Sequence, residues 1–249
     1  MLPVKRRLTA MFFPERCAYC GRPIPAGTGR CLACAGELPV IAPPVCPHCG
    51  RGKTVCICGG MEGPLDGTAA PLYYENEVRS GILQFKKGCR PYAAEEYARM
   101  MELVVRREYG ESRFDGITAV PSGRAAMKRR GFNPAQAIAE ELAKRLGLPV
   151  LPLLVKVQES PAPQKRLSAS QRRGNVLGLF DVEGHRDLSG MRLLLVDDVI
   201  TTGATIAECA KMLKLCGAQR VTGAVVAATR LSNRQKYRII NKRRVSGLG

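Results

Sequence analysis

The 249-residue chain has no tryptophan, two histidines and only 5% aromatic residues. So few flat side chains leave little for nucleobases to stack on, which disfavours base-stacking recognition of single strands. Of the two histidines, His48 lies between paired cysteines, where a side chain points away from a metal, and His185 sits in a polar loop. His48 therefore stays open only as a substitute ligand, and His185 reads as a surface residue. Acidic residues are scarce as well: 21 Asp and Glu stand against 39 Lys and Arg, a formal net charge of +18. Such an excess points to an anionic partner, either nucleic acid or a phosphate-rich small molecule. Long apolar runs are missing too. None approaches the ~20 residues of a membrane helix, so no membrane insertion is expected. The apolar stretch before Pro14 and Glu15 is too short for a secretory leader. The thiols are therefore expected to stay reduced in a cytoplasmic setting.

What the sequence does have is cysteine, eleven in all, eight of them within residues 1–62. They are spaced Cys17-x2-Cys20, Cys31-x2-Cys34, Cys46-x2-Cys49 and Cys56-x-Cys58. Two thiolates from one turn bind half of a tetrahedral zinc shell, and a second pair completes it. Cys20, Cys49 and Cys58 are each followed by glycine, which suits a sharp knuckle whose backbone N–H groups approach the sulfurs. Sequential pairing predicts two structural zinc sites: Cys17, Cys20, Cys31 and Cys34, then Cys46, Cys49, Cys56 and Cys58. A cross-braced alternative stays open. Cys89, Cys209 and Cys216 are expected to be packing residues. Residues 1–62 are proline-rich and poor in apolar runs, a module too small in core to fold without metal.

From Asp66 onward the texture becomes that of alternating strands and helices, which predicts an α/β fold with a mostly parallel, Rossmann-like sheet. "TAAPLYY" reads as a strand. Glu77–Lys86 reads as a helix with Val78, Ile82, Leu83 and Phe85 inward. Apolar residues at 93, 94, 97, 100, 101, 104 and 105 mark one helical face. "ITAVP" is a short buried strand. Asn133, Pro134 and Gly147 stand where a helix is capped, started and closed. "LPVLPLLV" reads as another strand, and 191–196, 205–216 and 221–227 as strand, helix and strand. The expected division is 1–62, 63–230 and a basic tail at 231–249.

The stretch "LLLVDDVITTGAT" places Asp197 and Asp198 at the carboxyl end of a strand, where open parallel sheets bind ligands. A loop of Thr, Gly and Ala follows and leads into a helix, so backbone N–H groups there can take a phosphate without a lysine. Carboxylates suit sugar hydroxyls or Mg2+. A phospho-acceptor receiver domain also ends a strand in paired acids, but TTGAT argues against it.

This segment resembles the type I phosphoribosyltransferases, which bind 5-phosphoribosyl 1-pyrophosphate with Mg2+. The resemblance implies that Asp197 and Asp198 take the ribose hydroxyls. It implies that Thr201, Thr202, Gly203, Ala204 and Thr205 cradle the 5-phosphate. "VPSGRAAMKRRGFNPAQAIAEELA" and "QKRLSASQRRGNVLGLF" narrow the likeness to the ComF family (ComFC and GntX types), a double zinc ribbon joined to such a domain. Cys56-x-Cys58 is tighter than that family's usual last pair. The same resemblance makes Pro121, Ser122, Gly123 and Arg124 a pyrophosphate loop, with Arg130 beside it. It places Gln164, Arg172 and Asn175 on a loop that closes over substrate. Lys86 in "QFKKG" is loosely similar to a lysine of the family. Two functions follow as expectations: an Mg2+-dependent transfer of phosphoribose to an unidentified acceptor, or a non-catalytic competence accessory that binds single-stranded DNA alongside a helicase. No general base or acceptor pocket is visible in the sequence, and fold alone does not establish catalysis.

Overall fold

The computed structural model describes residues 14–58, 63–88, 90, 92–110, 114–157 and 178–230. In chain order the elements are helix α1 (Leu32–Glu37), strands β1 (Gly67–Ala69) and β2 (Leu72–Tyr73), then helices α2 (Asn76–Lys86) and α3 (Ala93–Tyr109). Strand β3 (Gly116–Ala119) precedes helices α4 (Arg124–Arg130) and α5 (Pro134–Leu146). Strands β4 (Leu154–Lys156), β5 (Phe180–Val182) and β6 (Arg192–Ile200), helix α6 (Ala204–Leu215) and strand β7 (Arg220–Ala228) complete the order.

The main sheet is parallel, as the alternation predicts. β7 is flanked by β6 on one side and by β1 and β2 on the other, and β6 pairs in turn with β3. β1 and β2 run in one register along β7, Gly67 opposite Thr222 and Leu72 opposite Ala227. "TAAPLYY" is thus a single edge strand interrupted at Pro71, which has no N–H to give the ladder. The apolar run of β6 is buried on both faces. Leu194 and Val196 pack with α3 and α5, while Leu193 and Leu195 pack with α6. Two-residue periodicity splits one strand between two cores.

The helices keep their sequence logic. All seven apolar positions read on α3 are buried. Asn133 Oδ1 accepts the Ala135 N–H at 3.2 Å, Pro134 opens α5, and Gly147 closes it at φ +68°. On α2, Val78, Ile82 and Phe85 are inward, but Leu83 is not: one residue beyond Ile82 turns it about 100° out of the buried face, to 37% exposure. Gly81 occupies the inward place instead. A Cβ there would meet the Ala18 carbonyl oxygen at 2.4 Å. "LPVLPLLV" also departs from expectation. Prolines 149 and 152 interrupt it, so only Val150 bridges to Ile117, and the strand proper is β4, antiparallel to β5.

Residues 15–58 fold against this domain and share its core. Cys17, Ala18, Tyr19, Ile24 and Cys34 belong to the same apolar cluster as α3 and β6. Other parts line the outer edge of the sheet. The Ile41 N–H bonds to the Pro71 oxygen, Tyr73 N–H to Pro39 oxygen, and Thr68 N–H to Pro47 oxygen, all at 2.8–2.9 Å. An edge that would otherwise present unpaired backbone is covered. Among the described residues no helix is long and apolar enough to cross a membrane.

Candidate functional site

Parallel strands deliver their carboxyl ends to one rim. The Val120 N–H bonds to the Val196 oxygen at 2.9 Å, so the loop after β3 leaves the sheet beside Asp197 and Asp198 on β6. Both aspartates lie inside the strand rather than past it: Asp197 stands opposite Val225, and pairing continues to Ile200. Ladder bonds on either side hold their backbones, so the carboxylates are mounted on a rigid element.

The two acids are not equivalent. Asp198 is 8% exposed and pairs with Lys86 from the last turn of α2, Nζ to Oδ1 at 2.8 Å. Asp197 Oδ1 accepts the Asp198 N–H at 2.8 Å. Burial, and then the neighbouring Asp198 charge, push the Asp197 carboxyl up to about 8, against the lowering effect of that N–H and of Lys86. A carboxyl whose charged form is disfavoured in this way is drawn towards the carboxylate by an added cation or hydroxyl donors.

After Ile200 the chain turns through Thr201, Thr202 and Gly203. Gly203 adopts φ +81° immediately before α6 begins at Ala204. Only a residue without Cβ takes that conformation cheaply. Among the described residues, no acceptor takes the N–H of Thr202 or Gly203, while Ala204 N–H makes a long 3.4 Å contact with Thr202 Oγ1. Thr201, Thr202 and Thr205 are exposed. Free N–H groups at the positive end of a 12-residue helix suit a phosphate.

Across the rim, Pro121, Ser122 and Gly123 form the turn between β3 and α4. Asn133 organises it: its Nδ2 donates to Val120 oxygen at 3.0 Å, while its Oδ1 accepts from Ser122 Oγ at 3.0 Å as it also caps α5. The sequence marks Asn133 only as a helix cap, and the second role comes from the fold. Arg130 Nη2 reaches Ser122 Oγ at 3.4 Å. Arg124, Lys128 and Arg129 are exposed on α4, which buries no residue. Phe132 meets Phe85 edge to face at 5.5 Å, which ties this turn to the end of α2 that carries Lys86. Gln164, Arg172 and Asn175 lie outside the described residues, as do Cys89 and the tail from 231.

The cysteines gather as the sequential pairing predicts. Cys17, Cys20, Cys31 and Cys34 bring their sulfurs within 4.8 Å of one another, and so do Cys46, Cys49, Cys56 and Cys58. Four sulfurs about 2.3 Å from a tetrahedral zinc stand roughly 3.8 Å apart. Observed separations are 3.7 Å for Cys20–Cys31, 3.4 Å for Cys46–Cys58, 3.5 Å for Cys49–Cys56 and 3.3 Å for Cys56–Cys58. The thiols and their spacing fit structural zinc, and the tight Cys56-x-Cys58 pair closes its cluster. Burial pushes Cys17 up, yet backbone N–H groups of Cys31, Cys20 and Tyr19 outweigh it and bring the thiol down to about 7. Cys46 is likewise brought to about 7, against burial, by the backbone of Cys49 and by Cys56 and Cys58. Burial pushes Cys20, Cys34, Cys49 and Cys56 the other way, so the protein alone favours one thiolate in each cluster, and the charge of a bound zinc would supply what the other thiols need.

One buried residue outside every sequence motif also reaches the Thr201–Thr205 turn. Arg51, just past the second knuckle, is 3% exposed. Its Nη2 donates to the Thr201 oxygen at 2.7 Å, and its Nε to the Thr229 oxygen at 2.8 Å. The two knuckle stretches at residues 17–22 and 46–51, each two cysteines three apart with an arginine five residues after the first, held the available signal.

The double zinc ribbon domain family matches residues 8–66, and the phosphoribosyl transferase domain family matches residues 125–246. Competence protein F of Haemophilus influenzae is 30% identical over 220 residues, 84% of this chain and 95% of that protein. The DNA utilization protein YhgH of Escherichia coli is 30% identical over 217 residues, 84% of this chain and 94% of that protein. Competence protein ComFC of Bacillus subtilis is 24% identical over 193 residues, 74% and 77% of the two chains. With two four-cysteine clusters packed against a parallel sheet that ends in Asp197, Asp198 and a Thr-Gly turn, the chain belongs to the ComF family, a double zinc ribbon joined to a type I phosphoribosyltransferase fold.

Proposed function

We propose that the rim of β3 and β6 binds 5-phosphoribosyl 1-pyrophosphate together with Mg2+. The observation that carries this reading is the succession on one strand of paired acids, a Gly203 turn with free N–H groups, and the start of α6. On this reading Asp197 and Asp198 take the ribose hydroxyls, and Thr201–Thr205 take the 5-phosphate. On the same reading Pro121–Arg124, with Arg130, takes the pyrophosphate, whose departure needs donors aimed at the leaving group. When bound, Mg2+ would neutralise charge on the pyrophosphate, with the two aspartates as the protein's oxygen ligands. Lys86 neutralises Asp198 in the free protein, and ligand binding exchanges that ion pair for hydroxyl or metal contacts. The test is thermal: phosphoribosyl pyrophosphate with Mg2+ raises Tm, and Asp197→Ala with Asp198→Ala abolishes the rise. An unchanged melting curve for the parent protein refutes the site. Pyrophosphate release in the presence of candidate acceptors then distinguishes turnover from binding.

The relatives named for competence and DNA utilization support a role in handling DNA. A non-catalytic reading is favoured by one observation, the exposure of the cationic face of α4 in a chain of net charge +18. On that reading single-stranded DNA binds with a steep salt dependence, which shrinks when Arg230–Gly249 is deleted. No retention of DNA at low salt refutes it.

A further inference from the structure

The two knuckles share one backbone. In each, the first cysteine's N–H bonds to the carbonyl of the arginine five residues on: Cys17 to Arg22 at 2.8 Å, Cys46 to Arg51 at 2.7 Å. In each, the first cysteine's oxygen accepts the glycine N–H, Gly21 at 3.0 Å and Gly50 at 2.9 Å, with both glycines at positive φ. The arginine side chains nevertheless part. Arg22 is exposed, and Arg51 is buried to 3% exposure. The knuckle therefore does not itself require the arginine to be buried, and the burial of Arg51 has another cause.

That cause lies in what Arg51 reaches. Its guanidinium donates to the oxygens of Thr201 and Thr229 and approaches that of Ile200 at 3.4 Å. The Thr229 N–H itself bonds to the Ile200 oxygen at 3.0 Å, so all three carbonyls belong to the junction where β6 and β7 end and the Thr201–Thr205 turn begins. A planar fork with several donors fixes such a cluster in a way a lysine cannot. No carboxylate pairs with Arg51 among the described residues. A buried cation without a counter-ion is costly unless carbonyl dipoles or an anion compensate it. Here it stands behind a turn that has no charge of its own.

We infer that Arg51 is a positioning residue for the Thr201–Thr205 turn, so that closure of the Cys46–Cys49–Cys56–Cys58 cluster on metal sets the order of that turn and its affinity for an anion. Zinc fixes the knuckle, the knuckle fixes Arg51, and Arg51 fixes the first carbonyl of the turn. The anion-affinity half of this inference rests on the phosphoribosyl reading above, whereas the ordering half does not.

The experiment is amide hydrogen exchange in the full, zinc-loaded chain, read alongside zinc content, at the bonded foot of the turn: the β6–β7 ladder at residues 199–200 and 227–228, and the Thr229 N–H on the Ile200 oxygen. Arg51→Ala speeds exchange there by about tenfold or more, the effect of losing charge-assisted hydrogen bonds, and Arg51→Lys restores part of the protection. Arg22→Ala leaves it unchanged. If Arg51→Ala fails to fold, Cys58→Ser and Cys31→Ser decide instead. Opening the second cluster speeds exchange at the foot of the turn, and opening the first does not. Equal effects from the two clusters, or none from either, overturn the inference. So does an Arg51→Ala protein in which the foot of the turn exchanges as in the parent. With phosphoribosyl pyrophosphate and Mg2+ as the probe, Kd weakens in the order parent, Arg51→Lys, Arg51→Ala. A parent that does not bind this probe, but whose turn answers to Arg51, refutes the ligand and leaves the positioning role standing.

Discussion

Two metal knuckles with the same turn make opposite kinds of contact. The first is pressed into apolar packing. Tyr19 lies edge to face on Tyr97, the Ala18 oxygen accepts the Tyr97 hydroxyl at 3.1 Å, and Gly81 leaves room for both. Under it Glu96 is buried between Arg30 and Arg99. The second knuckle makes mainly polar backbone contacts, to the edge strand through Pro47 and His48 and to the Thr201 turn through Arg51. None of its cysteines joins either apolar cluster, whereas Cys17 and Cys34 do. One motif thus serves the core in one copy and the rim in the other. The lesson is that a knuckle's role is set by where its neighbouring side chains land, because the metal turn itself is the same.

The contrast is broken or sharpened most strongly at the thiolates. Cys17→Ser removes a ligand and opens the shared core, and should cost several kcal/mol, on the order of 10 °C in Tm. Cys58→Ser should cost roughly half of that, with each variant retaining one zinc by metal analysis. Equal losses would erase the distinction between the two copies. Next comes Glu96→Ala, which leaves Arg30 and Arg99 without their shared carboxylate. Because both arginines are partly in water, about 2 kcal/mol is expected by chemical denaturation rather than the larger cost of a fully buried pair.

The rim's own acid should behave in the opposite sense. Burial raises the Asp197 pKa from 3.8 to about 8, so between those values the folded chain holds a proton that the unfolded chain has released. This contribution to stability is complete below about pH 4 and is lost as pH rises toward 8. In Mg2+-free buffer, Asp197→Asn should therefore stabilise the protein at pH 8 by roughly 1–2 kcal/mol, discounted for a rim open to water, and leave it nearly unchanged at pH 4. Urea midpoints at the two pH values check this. The smallest effect should come from Arg22→Ala on the first knuckle, within about 0.5 kcal/mol of the parent, since its side chain is exposed.

Much of this was legible in the chain because the signals are local. The buried face of α3 follows from a 3.6-residue period, and the pairing of eight cysteines from their spacing. The cap at Asn133 is declared by Pro134 beside it. Signals that act across the sequence were not legible. Arg51 meets Thr201 across a separation of 150 residues, and Lys86 meets Asp198 only because α2 ends above the rim of β6. Leu83 departs from its expected place for a related reason. Gly81 takes the inward position so that a distant knuckle can approach, and no pattern within α2 announces that visitor. The edge strand split at Pro71 keeps one register because β7, not its own sequence, dictates the alignment.

The position of β7 has a consequence for how the molecule is born. The last strand among the described residues is interior to the sheet, with the early strands β1 and β2 on one side and β6 on the other. On a ribosome, both knuckles and their edge strand emerge long before the strand that joins them to the rest. The zinc-bearing segment must therefore wait, already cross-linked by its metals, while the residues from Asn76 to Gln219 are made. Contacts of such high sequence separation are slow to form. A nascent chain stopped short of Arg220 should accordingly carry its zincs while the Asp66 and Tyr74 N–H groups, which meet the Val221 and Ala228 oxygens in the finished fold, exchange unprotected.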